Sequence, residues 1–131
     1  MQVSLIGIRY LLHMINRLVG PQHPSGDDLA RILAALANPH RLRIVATLAK
    51  GSVHVSQLAR DVGVSRPLVH MHLQRLEAAG LVAGRLELSD DGKAMKFFEV
   101  TPFAIELTPT AIVEAAATLS DDETSERRET R

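Results

Sequence analysis

The sequence predicts a mainly α-helical domain with a small β-hairpin wing, in the order of a winged helix-turn-helix. Two helical segments are joined by a short turn at Gly63, and an Asp91-Gly92 hairpin signal follows the second of them. Hydrophobic residues make up 46% of the 131 residues but aromatic residues only 3%. The core must therefore consist of Leu, Ile, Val and Ala, which is typical of helix-rich domains.

We expect the chain to divide into three parts. Residues 1–22 are predicted to form an amphipathic helix and a linker that take part in dimerisation. The helix is predicted because apolar residues recur at helical spacing from Leu5 to Leu18. Residues 23–119 are predicted to form the winged domain. Residues 120–131 are polar and are predicted to be disordered.

No membrane or export segment is predicted. Arg9, His13 and Arg17 interrupt the apolar N-terminal segment, whereas a spanning helix needs ~20 nearly uninterrupted apolar residues. The chain has no cysteine, which excludes a disulfide, a thiolate metal site and a thiol nucleophile. This composition is compatible with the cytoplasmic location that we expect.

Two helices are predicted to open the winged domain. Asp27 and Asp28 favour the start of the first helix through the helix dipole. Asn38 and Pro39 supply a capping residue and a first-turn proline for the second helix, and Gly51 ends it. The apolar stripes expected to face the core are Leu29, Ile32, Leu33 and Leu36 on the first helix and Leu42, Ile44, Val45 and Leu48 on the second.

The next two helices form the predicted helix-turn-helix. A short strand at residues 53–55 leads into a helix that Ser56 is expected to cap and that runs to Val62. Ser65 is expected to cap the following helix, which ends at Gly80. The core face of this last helix is predicted to hold Val69, Leu73 and Leu76.

A hairpin and a final helix complete the predicted domain. Residues 85–88 alternate polar and apolar side chains, and residues 94–100 are rich in strand formers. The Asp91-Gly92 dipeptide between them favours a tight turn. Residues 110–119 predict a helix that is rich in alanine.

The sequence His70-Met71-His72 raises the question of a metal site or a catalytic pair. Residues two apart in a helix lie ~200° apart around its axis, so the two imidazoles cannot converge on one ion or one substrate. His72 flanks the predicted core face, and we expect a packed, hydrogen-bonded histidine there. His70 falls on the exposed side, which suits the DNA major groove because that groove admits a helix.

The predicted DNA contacts come from the second helix of the helix-turn-helix, from helix starts and from the hairpin. Arg66 is suited to guanine, and Met71 can touch a thymine methyl group. The formal net charge is zero, with 15 basic and 15 acidic residues, so a basic face must arise from the distribution of charge. The predicted set is Ser56, Ser65, Arg66, Pro67, His70, Met71, Gln74, Arg75, Arg85, Lys93 and Lys96.

Three segments resemble the ArsR/SmtB family of bacterial transcriptional repressors. They are LANPHRLRIV at residues 36–45, VSQLA at residues 55–59 and GVSRPLVHMHLQRLEAAGLV at residues 63–82. The resemblance covers roughly residues 27–119. It implies a sequence-specific repressor that binds a palindromic operator in double-stranded DNA as a homodimer, with the first and last helices forming the dimer interface and the hairpin acting as a wing.

The resemblance also implies where the metal sites of the family would lie. One uses Cys residues on the strand before the helix-turn-helix, where His54 and Ser56 stand in this chain. Another uses Asp and His on the last helix, where residues 110–119 offer only Glu114. We therefore predict no cofactor and no metal site. A nickel- or zinc-responsive repressor stays open as the alternative, with the ligands drawn from His13, His23 and His54.

If the chain senses no metal, it binds its operator constitutively, or it takes its signal from a co-encoded partner protein or from another ligand. An alternative from a different class is a winged-helix adaptor that binds only proteins, although Arg66, Arg75 and Lys93 argue against it. An enzyme is not predicted, because the sequence shows no nucleophile-base pair and no phosphate-binding loop.

Overall fold

The computed structural model describes residues 7, 8, 11 and 23–121 of the chain. The three described residues of the N-terminal segment are helical. The rest of the helix predicted within residues 1–22 and most of the predicted tail, 120–131, lie outside the described residues. None of the described helices is long and apolar enough to cross a membrane.

Residues 23–121 fold into five helices and one three-stranded antiparallel sheet, in the predicted order. The strands lie side by side in the order β1-β3-β2, so β3 pairs with both of the others. The elements are α1 (Gly26–Leu36), α2 (Pro39–Leu48), β1 (Val53–His54), α3 (Val55–Val62), α4 (Arg66–Ala78), β2 (Val82–Leu88), β3 (Ala94–Val100) and α5 (Pro109–Ala116).

Most of the predicted helix starts and turns are confirmed. The Asn38 side chain caps α2 by accepting hydrogen bonds from the amides of His40 and Arg41. Ser65 caps α4 by accepting from the amide of Leu68. Gly63 adopts φ 77°, the left-handed conformation that ends α3 and that glycine adopts without steric cost.

The predicted cap of α3 is wrong. His54, not Ser56, is the capping residue, because the strand ends at His54 and its extended backbone places the imidazole at the helix start. Nδ1 of His54 accepts a hydrogen bond from the amide of Gln57 at 3.2 Å. Helix α3 consequently begins at Val55, which had been assigned to the strand.

The core lies between the four helices α1–α4 and the inner face of the sheet. Val69, Leu73 and Leu76 of α4 are buried in it as predicted. The predicted stripe of α2 is partly wrong, because Leu42 is 53% exposed and Arg41 is buried instead. Other fully buried side chains are Ile44, Leu48, Leu58 and Leu81.

The hairpin and the last helix differ from prediction at their ends. Strand β2 begins at Val82, three residues before the predicted start, because Val82 pairs with Val100 and is buried against the core. Helix α5 ends at Ala116, and turns carry the chain on to Leu119. Gly92 adopts φ 81° in the tight turn between β2 and β3, as the Asp-Gly signal predicts.

Candidate nucleic-acid interface

Helix α4 presents one exposed face, which we call the reading face. It is opposite to the buried face that holds Val69, His72, Leu73 and Leu76. Six residues of the predicted set fall within about half of the circumference at 100° per residue, and all are exposed. They are Arg66, Pro67, His70, Met71, Gln74 and Arg75. The structure therefore brings the predicted residues of α4 together on one surface.

A shallow depression between α3 and the start of α4 lies beside the reading face. Ser56, Ser65 and Arg66 line it, as does Arg60, which sequence analysis missed. Arg60 Nη2 donates to Gln57 Oε1 at 2.7 Å, which orients the guanidinium along α3. A basic residue in the last turn of α3 was the sequence signal for Arg60. The depression combines hydroxyl and guanidinium donors with the N-terminal end of α4, where the helix dipole favours negative charge, a combination suited to phosphate.

Lys96 of the wing lies across a groove from α4. His70, Gln74 and Glu77 line one side of this groove, and Lys96 lines the other. The Lys96 ammonium lies 5.2 Å from the centre of the Phe98 ring. This cation–π contact holds the charge near the reading face. Glu77, which was not among the predicted residues, places a carboxylate in the same groove.

Arg85 points away from this groove. Strand register pairs Arg85 with Phe97 and Leu86 with Lys96, so Arg85 and Lys96 lie on opposite faces of the sheet. Arg85 Nη1 lies 2.5 Å from Glu87 Oε1, and Nη2 donates to Ser52 Oγ at 3.2 Å. The structure thus does not bring Arg85 together with the reading face.

Lys93 lies in the exposed turn at the tip of the wing, where acidic residues reduce the positive potential. The Asp91 carboxylate accepts a hydrogen bond from the Ser89 hydroxyl, which holds the pKa of Asp91 below its usual value. Asp91 therefore stays ionised close to Lys93. The wing presents two exposed lysines, of which Lys96 lies nearer to α4.

His70 and His72 have different surroundings, as the helical wheel predicts. His70 is exposed, whereas His72 is 3% exposed and its Nδ1 lies 3.2 Å from Arg41 Nη1. Burial, and then the Arg41 charge, lower the pKa of His72 below its ordinary value of 6.5. His72 is therefore neutral at pH 7 and belongs to the packed side of α4.

The described part of the chain holds no group of three or more His, Asp or Glu residues that could bind a metal ion. Of the three weak candidates, His13 lies outside the described residues. His23 Nε2 lies 4.0 Å from Glu114 Oε2, at the surface. His54 uses Nδ1 to cap α3, and its ring meets Phe97 edge-on. The two described candidates, His23 and His54, belong to no group of three or more possible metal ligands.

Comparison with known proteins identifies the family. A family model described as "Bacterial regulatory protein, arsR family" matches residues 38–83, from the cap of α2 into β2. An uncharacterized HTH-type transcriptional regulator of Methanocaldococcus jannaschii is 34% identical over 76 residues, which are 58% of this chain and 79% of that protein. The chain belongs to the ArsR family of bacterial regulatory proteins. The relatives that it matches include proteins named as HTH-type transcriptional regulators.

Other curated relatives match over a shorter share of their length. A probable mercury resistance operon repressor of Streptomyces lividans is 33% identical over 75 residues, or 57% of this chain and 55% of the repressor. For several further curated relatives the share is between 50% and 60%. The chain thus spans little more than half the length of most of the curated relatives considered.

A solved structure shows the same fold. It is the homodimeric winged helix-turn-helix DNA-binding domain, fragment 1–100, of a possible ArsR-family transcriptional regulator from Mycobacterium bovis. The two chains superpose with a TM-score of 0.52 and 32% identity, over 58% of this chain and 66% of that one. The winged helix-turn-helix predicted from the sequence is thereby confirmed.

Proposed function

We propose that this ArsR-family chain represses transcription by binding a palindromic operator as a homodimer, with the reading face of α4 in the major groove. The observation that carries the proposal is the continuous exposed face from Arg66 to Arg75, set opposite a fully packed core face. The major groove is ~12 Å wide and accepts one helix. A relative from Streptomyces lividans is named as a repressor, which favours repression here.

The positions of the side chains assign them different roles. Arg66, His70 and Gln74 lie in successive turns of α4 and are placed to meet base edges. Ser56, Ser65 and Arg60 surround the depression at the start of α4 and suit a phosphate. Lys96 lies across the groove from α4. There it can contact the phosphates of a DNA strand that runs between α4 and the wing.

A homodimer is the expected state in solution at micromolar concentration. Large apolar side chains remain exposed outside the helix-turn-helix, and a second copy of the chain would cover them. The residues are Ile8, Leu11, Leu107, Ile112, Val113 and Leu119. The related domain from Mycobacterium bovis is homodimeric. Multi-angle light scattering measures the mass directly, and a monomer at this concentration would contradict the proposal.

Specific binding is tested by titrating labelled DNA from upstream of the protein's own gene and a scrambled duplex of equal length. We expect Gln74→Ala to weaken binding to the first duplex more than to the second, because a bidentate contact to a base discriminates by ~1–3 kcal/mol. Arg31→Ala is the matched control, since Arg31 is exposed on α1 and pairs only with Asp28 among the described contacts. Equal affinity of the intact protein for both duplexes would refute the reading role of α4. Binding to neither duplex would favour the protein adaptor.

The wing is expected to contribute affinity that does not depend on sequence. Lys93→Ala combined with Lys96→Ala should weaken binding to every duplex and reduce the slope of log K against log salt by about 0.9 per lost phosphate contact. Arg85→Ala should leave this slope unchanged, because Arg85 is held by Glu87 and Ser52 on the other face of the sheet. An unchanged slope in the double lysine variant would show that the wing does not touch DNA.

We further propose that the regulatory signal is not a metal ion bound at the position of His54. The His54 ring nitrogen Nδ1 is engaged at the start of α3, and the chain has no thiol. Nickel or zinc at equimolar concentration should leave operator affinity unchanged in the same titration. A loss of affinity that His54→Asn abolishes would instead establish the metal-responsive alternative.

A further inference from the structure

A buried cation connects three helices behind the reading face. Arg41 of α2 is only 8% exposed. Its Nε donates to the carbonyl of Ala35 at 2.5 Å, and its Nη2 donates to the carbonyl of Ala34 at 3.3 Å. Its Nη1 lies 3.2 Å from Nδ1 of His72 on α4. One guanidinium thus spans the end of α1, the start of α2 and the middle of α4.

The carbonyls at the end of α1 compensate the buried charge. The last four carbonyls of a helix lack partners within the helix and carry the negative end of its dipole. In α1, the amide of Ala37 bonds the carbonyl of Leu33, and the amide of Asn38 bonds that of Leu36. The remaining two, of Ala34 and Ala35, are those that Arg41 contacts. Arg41 therefore completes the capping of α1 while its own charge is stabilised.

The contact with Arg41 fixes the tautomer of His72. A guanidinium has only donors, so Nδ1 of His72 must accept and the ring proton must reside on Nε2. Nε2 of His72 and Nδ1 of His40 are both buried and without a hydrogen-bond partner. The two rings are 5.6 Å apart between centroids and tilted by 37°. The two rings are thus neighbours, but neither of these buried nitrogens has a hydrogen-bond partner.

We infer that Arg41 is a positioning residue for the reading face, acting through a relay that runs from the carbonyls of Ala34 and Ala35 through the Arg41 guanidinium to His72 Nδ1. This inference rests on the proposed function, because the residues next to His72 are His70 and Met71 of the reading face. The relay fixes the rotation of α4 against α1 and α2. Since α1 also contacts α5, the relay lies between the proposed dimer surface and the proposed DNA surface.

Protonation of His72 would break the relay. A proton on Nδ1 removes the acceptor for Arg41 and places a second positive charge beside the guanidinium. The charged groups that act on His72 are Arg41 and His40 from α2 and Arg75 from α4 itself. Among the described residues of α1, α3 and β2, none acts on its charge. Because the folded-state pKa is below 6.5, the stability from neutral His72 is complete above pH ~6.5 and is lost as the pH falls below it.

The tautomers are tested first, by ¹⁵N NMR of the imidazoles in the full chain at pH 7.5. We expect His72 to be unprotonated at Nδ1 and protonated at Nε2. A protonated Nδ1 on His72 would overturn the inference. This measurement needs no DNA, so it tests whether the relay exists even if the protein proves not to bind an operator.

The positioning role is tested by the ratio of affinities for operator and scrambled duplexes between pH 5.5 and 8. Arg41→Met should lower this ratio roughly tenfold at pH 7.5, the size of effect expected for coupling through packed networks, while retaining affinity for the scrambled duplex. The difference from the intact protein should shrink at low pH, where protonation of His72 breaks the relay in the intact protein as well. Arg43→Ala, at an exposed arginine on the same helix, should leave the ratio unchanged. A ratio in Arg41→Met equal to that of the intact protein would refute the positioning role.

His72→Asn keeps the relay but removes its titration, because the Asn Oδ1 can accept from Arg41 and does not ionise. Its ratio at pH 7.5 should match that of the intact protein. In the intact protein the ratio should fall at low pH as His72 is protonated, and this fall should be absent in His72→Asn. This variant separates positioning from mere stability, since Arg41→Met would affect both. A pH dependence that persists in His72→Asn would assign the titration to another histidine, such as the exposed His70, and would overturn the role of His72.

Discussion

Replacement of His72 by alanine is expected to lower the free energy of unfolding by about 2–4 kcal/mol. The change removes a buried ring and leaves the Nη1 donor of a buried guanidinium without its acceptor. Replacement of His70 by alanine should change the same quantity by no more than about 0.5 kcal/mol, because His70 is exposed and substitutions at such positions seldom matter for stability. Urea unfolding of both variants at pH 7.5 makes the comparison.

The same two variants should show the opposite order of effects on DNA recognition in the folded state. His70→Ala should reduce operator affinity by more than it reduces affinity for a scrambled duplex, since a good base contact discriminates by ~1–3 kcal/mol. His72→Ala should reduce operator affinity only as a consequence of a displaced α4. Equal destabilisation by the two changes would contradict the assignment of His72 to the packed side and of His70 to the exposed side of α4.

The helix-turn-helix could be predicted because its signals are local. Asn38, Ser65 and Gly63 act within a few residues of themselves, through side-chain caps and a left-handed backbone conformation. The 3.6-residue period places Val69 on the core face of α4 and His72 on the flank of that face. Local chemistry and helical geometry are therefore sufficient to predict this part of the interface from the sequence.

The burial of Arg41 could not be predicted in the same way. The helical spacing of apolar residues in α2 predicts that Leu42 faces the core and that Arg41 lies at the surface. The burial depends on two carbonyls six and seven residues earlier in the chain and on a histidine thirty-one residues later. Only the packing of α1, α2 and α4 brings these acceptors together, and this removes the cost of burying the charge.

In the wing, the sequence pattern predicts the strands but not which of their residues are buried. Alternation in residues 85–88 correctly predicts a strand, but it does not show how far the core extends beneath it. Leu86 and Leu88 are 72% and 77% exposed because they lie beyond the buried contact of Phe98 with the core. The register that separates Arg85 from Lys96 depends on the pairing of β2 with β3, which single-strand patterns do not specify.

Gly26→Ala is expected to release α5 from the start of α1. A Cβ at Gly26 would overlap the carbonyl oxygen of Ala115 and lie 2.6 Å from Cγ of Leu119. The backbone of Gly26 is helical, so alanine would by itself favour α1 by up to ~1 kcal/mol. Any loss must therefore come from overpacking against α5, which costs about 1–3 kcal/mol at such sites. The displacement would also break the bond of 2.8 Å from the Gly26 amide to Thr118 Oγ1.

Gly26→Ala should weaken dimer formation more than it affects the folding of the helix-turn-helix. Ile112 and Val113 of α5 belong to the proposed dimer surface, so a displaced α5 should raise the dimer dissociation constant about tenfold or more. Sedimentation equilibrium measures that constant, and circular dichroism checks that α1–α4 remain folded. Ala30→Ser on the exposed side of α1 is the matched control. Thr118→Val removes the hydrogen bond without the overlap and should have a smaller effect. A Gly26→Ala protein with an unchanged dissociation constant would show that α5 does not form the dimer surface, because its close packing on α1 is the contact that this substitution disrupts.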